Sequence, residues 1–103
     1  MKVSKSEMER LVSSYKSFIE ATVAECKNKH PSSLESDELF EEGIVGLLKA
    51  VAESSSWSEF SGRVEEKIRN EIELAIRVEL GFVKLNQIVR ASFAEYRRVR
   101  AML

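Results

Sequence analysis

Few side chains in this sequence are of the types that carry out catalysis. There is one histidine, His30, next to a proline, and one cysteine, Cys26. One histidine in a predicted loop does not provide a credible nucleophile–base pair. Adjacent acids occur as Glu41-Glu42 and Glu65-Glu66. Adjacent positions on a helix do not face each other, so neither pair is a ready acid–base pair. From the sequence we therefore predict that this protein is not an enzyme and that it has no catalytic residue, metal site or cofactor.

Charge is distributed unevenly along the chain, although its formal net value is only −1. The stretch 35–79 carries twelve acids against five bases, whereas the residues beyond 79 carry five bases and one acid. A protein that holds duplex DNA by phosphate neutralisation alone is normally basic overall. The basic end suits phosphate contact, but cations near a helix C-terminus also favour the helix dipole, and we leave both interpretations open.

The elements that position these charges are predicted to be helices. Of 103 residues, 44% are apolar, and only four are glycine and one proline, which leaves few places for the turns of a β fold. Apolar residues recur at three- and four-residue steps. We predict a compact all-α fold of four helices with a long third helix: Lys5 to Lys29, a second capped by Ser36, a third from Trp57 to Leu80, and a fourth from about Asn86.

Local signals refine these helices. Ser56 and Glu59 form a Ser-x-x-Glu capping box at the start of the third helix, and Gly81 is predicted to end it. Gly43 and Gly46 lie inside the second helix, where we expect them to permit close approach of a neighbouring helix. Residues 1–85 are predicted to form one helical domain, with the basic helix 86–103 packed on it or extending it.

The N-terminal residues and the single cysteine bear on the compartment. Charges follow the first residues where a signal peptide would be apolar, and no stretch is apolar enough to span a bilayer. Cys26 falls in the apolar stripe of the first helix, where a buried, reduced thiol is expected. These features predict a cytoplasmic protein without a membrane partner.

The second helix carries a family resemblance. The run Asp-Glu-Leu-Phe-Glu-Glu-Gly-Ile-Val-Gly-Leu-Leu-Lys-Ala-Val, residues 37–51, resembles the core-binding helix of region 2 of bacterial RNA polymerase sigma factors. Both glycines, the leading acids and the Leu-x-Lys-Ala-Val tail agree with the family pattern in register. Leu11-Val12-x-x-Tyr15 is similar to the start of region 2, and Ile68-Arg69-Asn70-x-Ile72 is similar to its promoter-reading helix. The similarity covers about residues 11–85.

The resemblance implies binding to the coiled coil of the largest subunit of core RNA polymerase. Carboxylates around an apolar ridge suit a basic partner surface. Carried over by position, the polymerase-binding residues are Glu38, Glu41, Glu42, Ile44, Leu48 and Lys49.

The promoter-reading helix departs from the family pattern. Arg63 stands in place of a tyrosine, Glu66-Lys67 in place of a tryptophan pair, and Glu73 in place of a threonine. Because stacked aromatic residues hold unpaired bases and carboxylates repel phosphates, promoter melting by this domain alone is not expected. The DNA-binding residues predicted by position and charge are Arg63, Lys67, Arg69, Asn70, Lys84 and Arg90.

Three functions remain open at this point. The first is a sigma-like transcription factor that binds polymerase core and contributes to promoter DNA recognition. The second is a sigma mimic that binds an anti-sigma factor or polymerase without melting DNA. The third is an unrelated helical interaction module. Arg69-Asn70 and the basic end favour the first over the second, and the acidic substitutions favour the second.

Overall fold

The structure, a computed structural model, describes the backbone of residues 1–30 and 32–102 and the side chains of residues 1–30 and 32–81. The described backbone forms three helices and no strand: α1 (Lys5–Lys29), α2 (Ser36–Glu53) and α3 (Trp57–Met102). The all-α class is confirmed, but the four-helix count is wrong. The fold is also elongated, with extents of 68 × 25 × 21 Å, and not compact as predicted.

The difference from four helices lies at Gly81. This glycine was expected to end the third helix in a left-handed conformation, but no described residue has positive φ, and α3 continues to Met102. A glycine inside a helix costs only about 1 kcal/mol relative to alanine. Glu79 and Leu80 precede Gly81 and Lys84 and Leu85 follow it within about one turn, all of them good helix formers, and no proline follows, so this cost is insufficient to interrupt the helix. The predicted fourth helix is therefore the C-terminal part of α3, and the predicted domain boundary at residue 85 falls inside one helix.

Capping residues define the other helix ends. Ser4 accepts a hydrogen bond from the Glu7 backbone N–H (3.1 Å) at the start of α1, which has the predicted bounds. At α3, the Ser56 hydroxyl oxygen accepts from the Glu59 N–H (3.2 Å), while the Glu59 carboxylate accepts from the Ser55 N–H (3.1 Å). These reciprocal bonds resemble those of a capping box, except that the glutamate accepts from the N–H of Ser55 and not from that of the N-cap residue Ser56.

The start of α2 differs from the prediction by one position. Ser36 was expected to be the N-cap, but Glu35 occupies that position and makes no side-chain cap hydrogen bond, so that Ser36 is the first helical residue. Asp37 and Glu38 lie in the first turn, where negative charge interacts favourably with the helix dipole. The acids therefore support the helix start that a serine cap was expected to support.

The core lies where the three helices meet. Along α3, five buried residues recur every fourth position and form a strip on which α1 and α2 pack. Cys26, on α1, is 1% exposed, which confirms the predicted buried thiol, and burial is the main cause that raises its pKa. The buried apolar residues of the core are Ile19, Val23, Cys26, Leu39, Leu47, Ala50, Val51, Phe60, Val64, Ile68, Ile72 and Ile76.

The connection between α1 and α2 is anchored to α3 by one carboxylate. Glu79 accepts hydrogen bonds from the Ser33 backbone N–H (2.8 Å) and from the hydroxyl groups of Ser32 and Ser33. These donors favour the charged form, the Ser32 bond most, and lower the pKa of Glu79 from its ordinary value of 4.5. Glu79 thus fixes the position of the loop that leads into α2.

This anchor predicts a pH dependence of stability. Because the folded-state pKa of Glu79 is lowered, its contribution to stability is present above the unfolded-state pKa and is lost as pH falls through the folded-state value. In acid titrations of urea unfolding, Glu79→Gln should lose less stability below about pH 4.5 than the unsubstituted chain. Glu66→Gln is the control, since it also removes one carboxylate from α3 but leaves the bonds to Ser32 and Ser33 intact. Identical profiles for Glu79→Gln and the unsubstituted chain would contradict the anchor.

Candidate protein-docking surface

The two glycines of α2 determine how this helix sits on its neighbours. A Cβ atom at Gly46 would lie 2.5 Å from the carbonyl oxygen of Lys67 and 2.7 Å from the Cα of Ile68. A Cβ atom at Gly43 would lie 2.5 Å from Cγ2 of Ile19. The predicted close approach of a neighbouring helix is confirmed at Gly46, where the α3 backbone itself is the neighbour. With this side of α2 held inward, the opposite side faces solvent.

The exposed side of α2 combines acids with apolar residues. Glu38 and Glu41 are exposed, as are Leu48 (41%) and Val45 (37%). Glu41, Val45 and Leu48 follow one another at four- and three-residue steps and therefore form one ridge. Val45 was missed in the sequence analysis. The signal for it was present, since the same spacing that places Glu41 and Leu48 on one face also places Val45 between them.

The remaining polymerase-binding predictions occupy the margins of this ridge. Glu42 and Ile44 are partly buried, and Ile44 packs against the core. Lys49 is exposed but forms an ion pair with Glu71 of α3, with 2.5 Å between the charged atoms. Hydrogen bonding to Glu71 raises the pKa of Lys49. The structure therefore places Glu38, Glu41 and Leu48 centrally and the other three predicted residues at the edges.

The basic residues predicted to bind DNA engage carboxylates of the same chain. Arg63 pairs with Glu59 one turn earlier (3.1 Å), and Lys67 pairs with Glu53 of α2 (2.6 Å). These pairs are solvent-accessible, so they hold the cations in place without removing them from water. Hydrogen bonding to Lys67 is the main cause that lowers the pKa of Glu53.

Arg69 is paired as well, across the interface between α1 and α3. Its guanidinium group donates to the Glu25 carboxylate at 3.2 Å, and Lys29 donates to the same carboxylate at 3.1 Å. The Lys29 bond, followed by the Arg69 bond, lowers the pKa of Glu25. Asn70 is exposed. The two other predicted DNA-binding side chains, Lys84 and Arg90, lie outside the described side chains.

Two aromatic residues near the start of α3 differ in exposure. Phe60 is 2% exposed and belongs to the core. Trp57 is 48% exposed, and its ring contacts Phe60 edge-on with 5.6 Å between ring centres. Trp57 is the one aromatic side chain in the described region that combines a large exposed area with a fixed orientation on the core.

No group of three or more histidine, cysteine or acidic side chains is arranged to hold a metal ion among the described residues. Within the same residues, no helix is sufficiently long and apolar to cross a membrane.

Comparison of the chain with models of known protein families, with curated proteins and with solved structures found no match. The resemblance to sigma factors therefore rests on the motif residues of α1, α2 and α3 alone.

Proposed function

We propose that this chain is a sigma-factor-like transcription initiation domain that binds core RNA polymerase through the exposed face of α2 and contributes to promoter DNA recognition. The observation that carries the proposal is the outward orientation of Glu38 and Glu41 beside the exposed Val45 and Leu48. The family motif requires an acidic ridge that is exposed to a partner. If these side chains pointed into the core, the proposal would have no basis. Such a function places the chain in the cytoplasm with polymerase.

The chemistry of the ridge supports a basic, helical partner. Within the described residues, Glu38, Glu41 and Glu42 form no ion pair, so their charge is available to a partner. Complementary charge increases the rate of encounter, and burial of the exposed Val45 and Leu48 supplies affinity. The coiled coil of the polymerase's largest subunit is the partner that the sequence resemblance implies.

Charge reversal at Glu42 tests this proposal. We expect Glu42→Lys to weaken binding to purified polymerase core by about tenfold or more, because it places a cation against a basic surface. Glu42 is only partly buried, so the circular dichroism and melting temperature should change little. Binding is measured by fluorescence anisotropy of the labelled chain titrated with core.

Glu9→Lys is the matched control, since Glu9 is an exposed acid on α1 and the charge change is identical. The control should bind core as tightly as the unsubstituted chain. Equal binding by Glu42→Lys would show that α2 is not the docking helix, and absence of binding by the unsubstituted chain would refute the proposed function.

A second candidate is the sigma mimic, which binds an anti-sigma factor or polymerase without acting on DNA. The observation that favours it is the ion pairing of Arg63, Lys67 and Arg69. The carboxylates in these pairs compete with DNA phosphates for the three cations. A fork-junction DNA shift with the chain and polymerase core separates the candidates. A sigma-like factor increases retention of the DNA by core, whereas a mimic binds core without doing so.

A further inference from the structure

Two large apolar side chains are exposed on α3 outside the surface already described. Leu74 is 48% exposed and Val78 is 49% exposed, and their four-residue spacing places them on one face of the helix. Ile72 and Ile76, each two residues before one of them, are buried on the opposite side of the helix. Single exposed apolar residues are ordinary, whereas a group with a polar rim is typical of an interaction site. The surroundings of this pair therefore decide its meaning.

Two ion pairs establish the register between α2 and α3. Glu53 pairs with Lys67, and one turn further Lys49 pairs with Glu71. The residue numbers fall on α2 as they rise on α3, so the two helices are antiparallel. This row of contacts gives the pairing of the turns that follow.

We extend this register by two turns, which places Val45 level with Leu74 and Glu42 level with Val78. Val45 lies one turn before Lys49, and Leu74 lies one turn after Glu71. Glu42 and Val78 are each seven residues from the members of that ion pair. At one end of this row, the facing residues of α2 and α3 form ion pairs. At the other end, the facing residues are apolar or acidic and at least partly exposed to solvent. We refer to Glu38, Glu42, Val45, Leu74 and Val78 as the α2–α3 edge.

We propose that the α2–α3 edge binds a basic amphipathic helix of a protein partner, and that it forms one continuous surface with the acidic ridge of α2. This inference rests on the proposed function. It adds a second contact to the polymerase's coiled coil, made by α3 beside the contact made by α2. The apolar residues provide burial, and the carboxylates select a partner helix with flanking lysine or arginine residues. Nucleic acid does not fit this edge, since Glu38 and Glu42 repel phosphates.

The test uses the double variant Leu74→Gln/Val78→Gln of the full chain. Glutamine is a good helix former, and both native side chains are about half exposed, so the fold should persist by circular dichroism. We expect affinity for polymerase core to fall about tenfold or more. Leu80→Gln is the matched control, because Leu80 is also exposed (36%) but lies on the other side of α3 from Val78.

Crosslinking identifies the partner independently of affinity. Cys26 is buried, so a cysteine introduced by Val78→Cys can be labelled selectively with a photoreactive group. In complex with core, we expect a crosslink to the largest subunit, and none from a similarly labelled Leu80→Cys chain.

The possible outcomes separate the edge from the function on which it rests. Unchanged core affinity of the double variant, with weakened binding by Glu41→Lys on the α2 ridge outside the edge, would overturn the edge and leave the proposed function standing. No core binding by the unsubstituted chain would overturn both. A double variant that binds core normally but shifts fork-junction DNA differently would assign the edge to nucleic acid, and would also overturn the inference.

Discussion

Substitution of Gly46 by leucine is expected to lower the free energy of unfolding by about 3 kcal/mol or more, the upper part of the range for overpacked cores. A Cβ atom at this position lies 2.5 Å from the Lys67 carbonyl oxygen and 2.7 and 2.9 Å from the Cα and N atoms of Ile68. These are backbone atoms of α3, which cannot rotate aside as a side chain can. The two helices must therefore separate, and the buried contacts along their interface are lost.

Gly62 is the matched control for this substitution. It lies in α3, and nothing beyond its own stretch of helix backbone lies within 4 Å of a Cβ built on it. Gly62→Leu should raise stability by up to about 1 kcal/mol, because leucine has the higher helix propensity. Urea unfolding followed by circular dichroism measures both. Unchanged stability of Gly46→Leu would mean that α2 and α3 do not approach each other at this glycine.

Truncation of Ile72 to alanine is the second large effect, with an expected loss of about 2–5 kcal/mol. Ile72 is fully buried, and its Cδ1 atom lies 3.3 Å from the position of a Cβ on Gly43. The substitution leaves a cavity between α2 and α3 that rigid helices fill only in part. For a domain whose total stability is about 5–15 kcal/mol, such a loss is a large fraction.

Leu74→Ala is the comparison for Ile72→Ala on the same helix. Leu74 is half exposed, so its truncation should change stability by no more than about 0.5 kcal/mol. Both are measured by thermal and urea unfolding. Equal effects of the two substitutions would contradict the assignment of Ile72 to the core and of Leu74 to the surface.

Local sequence signals predicted most of the helix boundaries. The apolar stripe predicted the bounds of α1, and the capping box of Ser56 and Glu59 predicted the start of α3. These signals succeed because each is contained within a few residues. The end predicted at Gly81 was wrong because a glycine permits a helix stop without requiring one, and the flanking residues favour continuation.

The candidate surface was predictable only in part. Periodicity and the family motif identified the acidic face of α2, but the sequence does not reveal contacts between residues far apart in the chain. The pair Arg69–Glu25 spans 44 positions, and it changes Arg69 from an available cation into one held at a helix interface. The register between α2 and α3, marked by the Lys49–Glu71 and Lys67–Glu53 ion pairs, likewise depends on how the two helices pack.

The buried position of Cys26 gives the chain an internal reporter of its own motions. The thiol lies on the inner side of α1, and a reagent in solution reaches it only when that helix has moved away from the other two. The rate of thiol modification under native conditions thus measures how often the bundle opens locally, and its dependence on urea separates such openings from complete unfolding.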